Sequence, residues 1–280
     1  MKIAFAKISI TVKKCPICKK NTLRRKFVYK KPPKKEINFG ISKKNYYREY
    51  LKCRSCGHFF STVKNFNPDT FYKGHYNESI YMKNFSKTFF KIINLPKKKS
   101  DNFHRVERIK NFCKNFYKNY KRISVLDIGS GLGVFPYAIK KLGLKINCID
   151  PDKKSVHHLN SVLKIKSYCG NFLEIKNKKK YHLITFNKVL EHVKDPFLLL
   201  KHAKKFLRKD SLIYIELPDG EMASISKKGK YCEEFFIDHI HVFSSDSLSI
   251  LIKNTGLKSL HMSRYTEPSG KITISAFCKN

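Results

Sequence analysis

Along this chain of 280 residues the apolar positions alternate between helical steps and short continuous runs. Phe103, Val106, Ile109, Phe112, Cys113 and Phe116 recur at three- and four-residue steps, which predicts an amphipathic helix capped by Ser100 or Asp101. A buried strand follows at Ser124 to Ile128, then a helix from about Val134 to Leu142. The alternation continues with a strand at 145 to 149, a helix from Asp152 to about Leu163, and strands near Ile165 to Cys169 and at Tyr181 to Phe186. A helix at Pro196 to Leu207, a strand at Leu212 to Leu217 and a helix at Ser245 to Asn254 come next. Two strands, Leu257 to Tyr265 and Lys271 to Cys278, close the chain as an antiparallel hairpin turned by Glu267-Pro268-Ser269-Gly270. Strands separated by helices predict an α/β domain over residues 101 to 280, with a mostly parallel sheet covered on both faces.

The first hundred residues follow a different pattern. Residues 1 to 14 read as a short strand, and Phe27-Val28-Tyr29 and Tyr46 to Leu51 as strands of a small β module over residues 1 to 60. Cys15-Pro16-Ile17-Cys18 and Cys53-Arg54-Ser55-Cys56-Gly57-His58 are two knuckles of two thiolates each. Together Cys15, Cys18, Cys53 and Cys56 make a candidate tetrahedral zinc site of the ribbon type. His58 is an alternative to Cys56 as ligand. Residues 61 to 100 form an aromatic connecting segment, containing Phe66, Phe71, Tyr72, His75, Tyr76, Tyr81, Phe85, Phe89 and Phe90. Residues 59 to 100 read as helical turns packing the small module on the large one, or as a lid over a substrate.

Composition changes this picture little. Fifty-nine Lys and Arg against 21 Asp and Glu give +38, a balance that points toward polyanions. The lysines are spread through nearly every segment, as in a Lys-, Asn- and Ile-rich composition, so a solvated basic surface explains most of it. Residues 1 to 60 hold eighteen basic residues against Glu36 and Glu49 alone, a denser local excess. No apolar run approaches the roughly 20 residues of a membrane span, and no leader with a cleavage site is evident. Paired Cys-x-x-Cys knuckles point to metal rather than disulfides, and so to the cytoplasm.

Candidate chemistry gathers at the carboxyl ends of the predicted strands, where open α/β sheets bind ligands. Val125 to Ile128 runs into Gly129-Ser130-Gly131-Leu132-Gly133 and then a helix, whose N-terminal amides face whatever the turn holds. The next strand ends in Asp150, placed to accept two ribose hydroxyls. Asp127, Asn171, Phe172, Asn187 and the Glu191-His192 corner fall at other strand ends. A side chain added at Gly129 is expected to fall where the ligand lies. The third glycine of a dinucleotide fingerprint falls later than Gly133, which argues against NAD or FAD.

As a set, Asp127-Ile128-Gly129-Ser130-Gly131-Leu132-Gly133, Ile149-Asp150-Pro151-Asp152, Gly170-Asn171-Phe172 and Val189-Leu190-Glu191-His192-Val193-Lys194-Asp195-Pro196 resemble the class I S-adenosylmethionine-dependent methyltransferases. The resemblance implies a Rossmann-like seven-stranded sheet with a reversed edge strand. It also implies that Gly129, Ser130, Gly131 and Gly133 line the cofactor with Asp127, that Asp150 takes the ribose, and that Asn171 and Phe172 flank the adenine. Asn171 stands where the family usually has Asp, and Asn187 lies next to the sulfonium. The zinc module and Phe71-Tyr72-Lys73-Gly74-His75-Tyr76 look like those of sugar-modifying methyltransferases. In sugar C-methyltransferases a Tyr-His-Glu-His stretch precedes the penultimate helix. Here Asp238-His239 matches its last two residues, while Phe236 and Ile237 replace the Tyr and His. Candidate bases are His239, His192 and His241. The implied acceptor is a nucleotide-linked or glycan sugar. RNA held by the basic module is an alternative, and a non-catalytic zinc-ribbon adaptor is another.

Overall fold

The computed structural model describes residues 14–37, 41, 44, 46–63, 85–176 and 179–280. Residues 1 to 13 of the strand expected at 1 to 14, and the expected lid residues Phe66, Phe71, Tyr72, His75, Tyr76 and Tyr81, lie outside the described residues. Strands β1 (Leu23–Tyr29), β2 (Arg48–Cys53) and β3 (Phe59–Val63) come first, then helices α1 (Phe85–Ile93) and α2 (Asp101–Phe116). The alternating part runs β4 (Ser124–Ile128), α3 (Val134–Lys141), β5 (Lys145–Asp150), α4 (Lys153–His157), β6 (Ser167–Cys169), β7 (Tyr181–Asn187), α5 (Pro196–Ala203) and β8 (Leu207–Pro218). It ends with α6 (Gly220–Ile225), β9 (His241–Val242), α7 (Ser245–Asn254), β10 (Lys258–Thr266) and β11 (Ile272–Lys279).

The large sheet has seven strands in the order β10-β11-β8-β7-β4-β5-β6. β11 runs antiparallel to both β8 and β10, and the other neighbouring pairs are parallel. Alternation along each strand divides its side chains between two layers. Val125, Leu183, Leu212 and Tyr214 meet Val106, Ile109 and Cys113 of α2 and Phe135 and Ile139 of α3. Leu126, Ile128, Ile184, Phe186, Ile213 and Ile215 meet Leu199 and Leu200 of α5 and Leu248, Leu251 and Ile252 of α7. The mostly parallel α/β sheet with its reversed C-terminal strand is as expected. Ser100 caps α2, its hydroxyl accepting from Phe103 N at 3.2 Å.

Three elements differ from expectation. Phe59–Val63 is a strand rather than a helical turn, because Phe59 and Ser61 bury one face while the backbone pairs with β2. The helix beginning after Asp152 is α-helical only to His157 and widens into a π turn over His158–Val162. β8 starts at Leu207, where a helix end was expected, and its register slips between Tyr181 and Leu183 of β7.

The small sheet has the order β1-β2-β3-β9. Its last strand comes from far along the chain, with Phe59 opposite Val242 and Phe60 opposite His241. Cys15, Ile17, Cys53 and Cys56 lie in the same apolar cluster as α5, α7 and one face of the large sheet. Thus the knuckles share a core with the larger unit.

Candidate active site

Three strand ends, β4, β5 and β7, converge on the glycine turn. Gly129, Gly131 and Gly133 all have positive φ, at +71°, +50° and +76°. They differ in what a side chain would meet. A Cβ at Gly129 would lie 2.7 Å from Val189 Cγ2, and one at Gly133 would lie 2.7 Å from Leu163 Cδ1, whereas at Gly131 nothing lies within 4 Å. This corrects the expectation for Gly129. Its missing Cβ makes room for the loop after β7, and Gly131 is the residue that faces open space.

Asp127 is 1% exposed. Its Oδ1 accepts from Thr185 Oγ1 at 2.6 Å and Asn187 Nδ2 at 2.9 Å, and its carbonyl accepts from the Ser130 hydroxyl at 3.2 Å. Burial pushes its carboxyl up to about 6 against those hydrogen bonds. Asp127 therefore ties the β4 and β7 ends together beneath the turn. Asp150, 5% exposed, accepts from Gly131 N at 2.8 Å and Asp152 N at 2.9 Å, one on each oxygen. Burial raises its carboxyl to about 7. Each carboxylate oxygen keeps a second lone pair, so a ribose diol can still be received. The helix cap beside it is Asp152, whose Oδ1 accepts from Ser155 N.

Asn171 is turned to another use, its Oδ1 accepting from Leu173 N at 3.1 Å as cap of the 3-10 turn Phe172–Glu174. The Phe172 ring is core, packed against Phe186, His202 and Phe206. Asn187 spends its amide nitrogen on Asp127, and its buried Oδ1 has no hydrogen-bond partner.

The Glu191-His192 corner lies one loop past Asn187. Ligand atoms of Glu191, His192 and His239 all fall within 4.8 Å of one another, and the two imidazole centroids are 4.8 Å apart. His192 Nδ1 donates to Asp238 O at 2.9 Å and His239 Nδ1 to Glu234 O at 2.8 Å. A carbonyl can only accept, so Nδ1 of each ring carries a proton. Burial lowers His192 and raises Glu191 from their ordinary values. Glu191 does not cap α5, since Asp195 does so through Leu198 N at 2.9 Å. His241 stands apart from this group. Its Nδ1 pairs with His58 Nε2 at 3.0 Å, its Nε2 reaches Lys194 O at 3.4 Å, and burial lowers it to about 4.

The small sheet grips the loop that carries His239. Tyr50 Oη lies 2.5 Å from His239 O and 3.0 Å from Phe236 O. Arg48 Nη1 donates to Phe235 O at 2.6 Å, and Glu36 Oε1 accepts from Ile237 N at 2.9 Å and pairs with Arg48 at 2.7 Å. Sequence reasoning missed these three residues. The signal was available, since Glu36 is one of two acids in a strongly basic stretch.

The four knuckle sulfurs also converge within 4.8 Å. Cys15 and Cys56 Sγ are 3.7 Å apart, and Cys18 and Cys53 Sγ 3.5 Å. Zn–S bonds of about 2.3 Å give a tetrahedral edge of about 3.8 Å, so the thiols fit a four-sulfur site. His58 is not among them. Among the described residues no helix is long and apolar enough to cross a membrane.

Residues 97–262, more than half of the chain, match a family model described as a methyltransferase domain. A ubiquinone biosynthesis O-methyltransferase of Pelagibacter ubique (strain HTCC1062) is 28% identical over 163 residues, covering 56% of this chain and 61% of that protein. The corresponding protein of Bradyrhizobium diazoefficiens is 26% identical over 137 residues, covering 43% of this chain and 54% of its own. The chain thus spans less than two thirds of these relatives. Among solved structures, the plantazolicin methyltransferase with bound S-adenosylhomocysteine aligns with TM-score 0.53 at 18% identity, over 72% of this chain and 92% of that one. The magnesium protoporphyrin IX methyltransferase of Synechocystis PCC 6803 aligns with TM-score 0.51 at 12% identity, over 71% and 97%. With its seven-stranded sheet, its glycine turn between β4 and α3, and a family match over most of that region, the chain belongs to the methyltransferase-domain family.

Proposed function

We propose that this enzyme transfers a methyl group from S-adenosylmethionine to a hydroxyl oxygen of a small polar acceptor, with nucleotide-linked or glycan sugars the first class to test. The observation that carries this reading is the meeting of Glu191, His192 and His239 one loop away from the glycine turn. Bound at the strand ends, the cofactor supplies an electrophilic methyl carbon on a sulfonium. The chain must hold the cofactor, align the acceptor and take charge of the acceptor's proton. Gly131 leaves room for the cofactor, Asp150 accepts the ribose hydroxyls, and the backbone at Asn171 and Phe172 borders the adenine. The Glu191, His192 and His239 cluster faces the acceptor hydroxyl and disposes of its proton. The oxygen then bonds to the methyl carbon as the C–S bond breaks, leaving its electron pair on sulfur. Oxygen is favoured as the acceptor atom because the two relatives are named O-methyltransferases. The sugar class rests on the pairing of a four-cysteine module with this domain.

We also propose one structural zinc held by Cys15, Cys18, Cys53 and Cys56, supported by the sulfur spacing. Its role is to fix β2 and β3, which grip the His239 loop. Calorimetric titration with S-adenosylmethionine and S-adenosylhomocysteine is the first test, with micromolar binding expected, about −8 kcal/mol. Methyl transfer to a panel of nucleotide sugars and hydroxylated aromatic compounds follows. No transfer to any sugar, with transfer to an aromatic hydroxyl, would reject the sugar class and keep the reaction. Metal analysis expects loss of the zinc in Cys53→Ser, and a zinc-free native chain purified under reducing conditions overturns the module's assignment.

A further inference from the structure

We propose that the cavity beside the end of β10 binds a phosphoryl group and there anchors the non-reacting end of the acceptor. The inference rests on the methyltransferase reading and names a chemical feature that the acceptor must carry.

Its place in the fold is the first observation. β11 runs antiparallel to both β8 and β10, so β10 ends at the same carboxyl edge of the sheet as β4, β5, β7 and β8. Ligands of open α/β sheets bind along that edge. The cavity measures about 350 Å³ and is lined by Lys98, His104, Arg108, Tyr265, Glu267 and Pro268, toward the lower end of the size range of small-molecule sites. Glu216 joins it to the candidate active site. Its carboxylate pairs with Arg108 at 3.1 Å, and its carbonyl accepts from Lys188 N at 2.9 Å, one residue past Asn187. In the order β10-β11-β8-β7, three strand spacings separate the cavity from the loop after β7, about 14 Å at ~4.8 Å each. An elongated acceptor spans that distance.

Charge selects the ligand. The lining acid Glu267 is committed to Arg108, whose Nη1 and Nη2 donate to its two oxygens at 3.3 and 2.7 Å. Glu216 is shared by Arg105 and Arg108. Asp101, beside the β10-β11 turn, accepts from the Ser269 amide and hydroxyl. Two arginines thus balance two glutamates, and Lys98 and His104 line the cavity with no ion pair to an acid among the described residues. Lys97 and Lys99 flank Lys98 in one 3-10 turn and add to the positive rim. Arg108 is held in place before any ligand arrives, by both carboxylates and by the Tyr265 ring 4.3 Å beneath its guanidinium, and its Nε has no acceptor. An arginine fork matches phosphate geometry, and a lysine beside it acts as a point charge. A phosphoryl group also offers more oxygens to donors arriving from several sides than a carboxylate does. Tyr265 and Pro268 supply an apolar wall for the group that carries it.

Calorimetric titration of the full-length chain with pyrophosphate, UDP and GDP, in the presence of excess S-adenosylhomocysteine, tests the site, with malonate as the carboxylate control. Pyrophosphate is expected to bind more tightly than about 1 mM and to weaken at least about tenfold in both Lys98→Glu and His104→Glu. Both side chains are exposed, so neither change disturbs the core. Lys114→Glu makes the same charge change at the far end of α2 and should leave binding within about twofold. Tighter binding of UDP or GDP than of pyrophosphate identifies a nucleotide as the carrier, and equal binding shows that the phosphoryl group alone is held; both keep the site. No binding of the three phosphoryl ligands overturns it, as does equal tightness of malonate. So does native affinity in Lys98→Glu and His104→Glu, or a matching loss in Lys114→Glu. Cofactor binding is titrated first on the same samples. A chain that binds S-adenosylhomocysteine and no phosphoryl ligand keeps the methyltransferase reading and loses this one.

Discussion

Replacing Gly131 by Ala separates cofactor binding from folding, and the three turn glycines supply the controls. At Gly131 an added methyl meets nothing within 4 Å, at φ +50°. Its cost to the fold is the left-handed backbone penalty of about 1–2 kcal/mol for a residue with a Cβ. That is offset by roughly 0.4–1 kcal/mol because alanine restricts the unfolded chain. A net loss of about 1 kcal/mol lowers the melting temperature by roughly 2–4 °C for a chain of this size class. Gly129→Ala carries a similar backbone penalty and drives a methyl to 2.7 Å from the stiff Val189. Gly133→Ala drives one against both Leu159 and Leu163. Overpacking adds about 1–3 kcal/mol in each of these. The cofactor ranking is the reverse of the folding ranking. The methyl at Gly131 projects into the open side of the turn, where Gly131 N also anchors Asp150 at 2.8 Å. Affinity for S-adenosylhomocysteine should fall at least about tenfold, or 1.4 kcal/mol. Thermal melts of the three variants beside calorimetric titration of each decide the matter. Native affinity in Gly131→Ala, or a larger melting loss there than in Gly133→Ala, refutes the assignment of that open side to the cofactor.

Three further outcomes follow from the same geometry. Asp150 is held up at about 7 by burial, and only its ionised form accepts both ribose hydroxyls. S-adenosylhomocysteine affinity should therefore fall about tenfold per pH unit below about 7 and level off above it. Titrations from about pH 5.5 to 8 check this, and Asp150→Asn should bind more weakly with no such slope. Burial alone would raise Glu216, but Arg105, Lys188 and Arg108 hold it well below its ordinary 4.5, with ion pairs of 2.5 Å to Arg105 and 3.1 Å to Arg108. Its stabilisation is therefore complete above the unfolded pKa near 4.5 and is lost as pH falls. Glu216→Gln should cost about 3–5 kcal/mol in urea melts at neutral pH and flatten the acid side of the stability profile. Tyr50→Phe leaves the carbonyls of His239 and Phe236 without that hydroxyl and should cost about 1–3 kcal/mol. Turnover should drop while S-adenosylmethionine affinity holds, and equal losses in both would show that Tyr50 acts on the whole fold.

What could be read from the sequence was local. The β4 strand, the glycine turn and Asp150 are consecutive or nearly so, and their hydrophobic runs are set by burial on both faces of a parallel sheet. The knuckle spacing likewise declares itself within four residues. What could not be read was which way a backbone points. Three glycines in five residues look alike in sequence, yet their Cβ directions face Val189, open space, and the Leu159–Leu163 pair. Phe172 and Asn171 hold the expected strand end, but a ring and an amide have local uses, core packing and turn capping, that compete with ligand contact. The hydrogen bonds of the three candidate histidines could not be read from the sequence either. His241 is committed on both ring nitrogens, while His192 and His239 share a face with Glu191.

The grip of the small sheet on the His239 loop was the least legible feature, because it links residues nearly two hundred positions apart. Scarcity of charge is the clue that reaches it. In a chain of net charge +38 an exposed acid has many cations near it and no need of a particular one. An acid that survives in a basic stretch is therefore a candidate for a specific pairing. Both acids of the first sixty residues are so used, Glu36 on the fully buried Arg48 and Glu49 on Arg25 at 3.1 Å. A buried arginine stripped of its carboxylate is costly by about 3–5 kcal/mol. Loss of Glu36 would act first on Arg48 and then on the Phe235 and Ile237 backbone that both residues hold. The small sheet and the His239 loop are in that sense one folding unit.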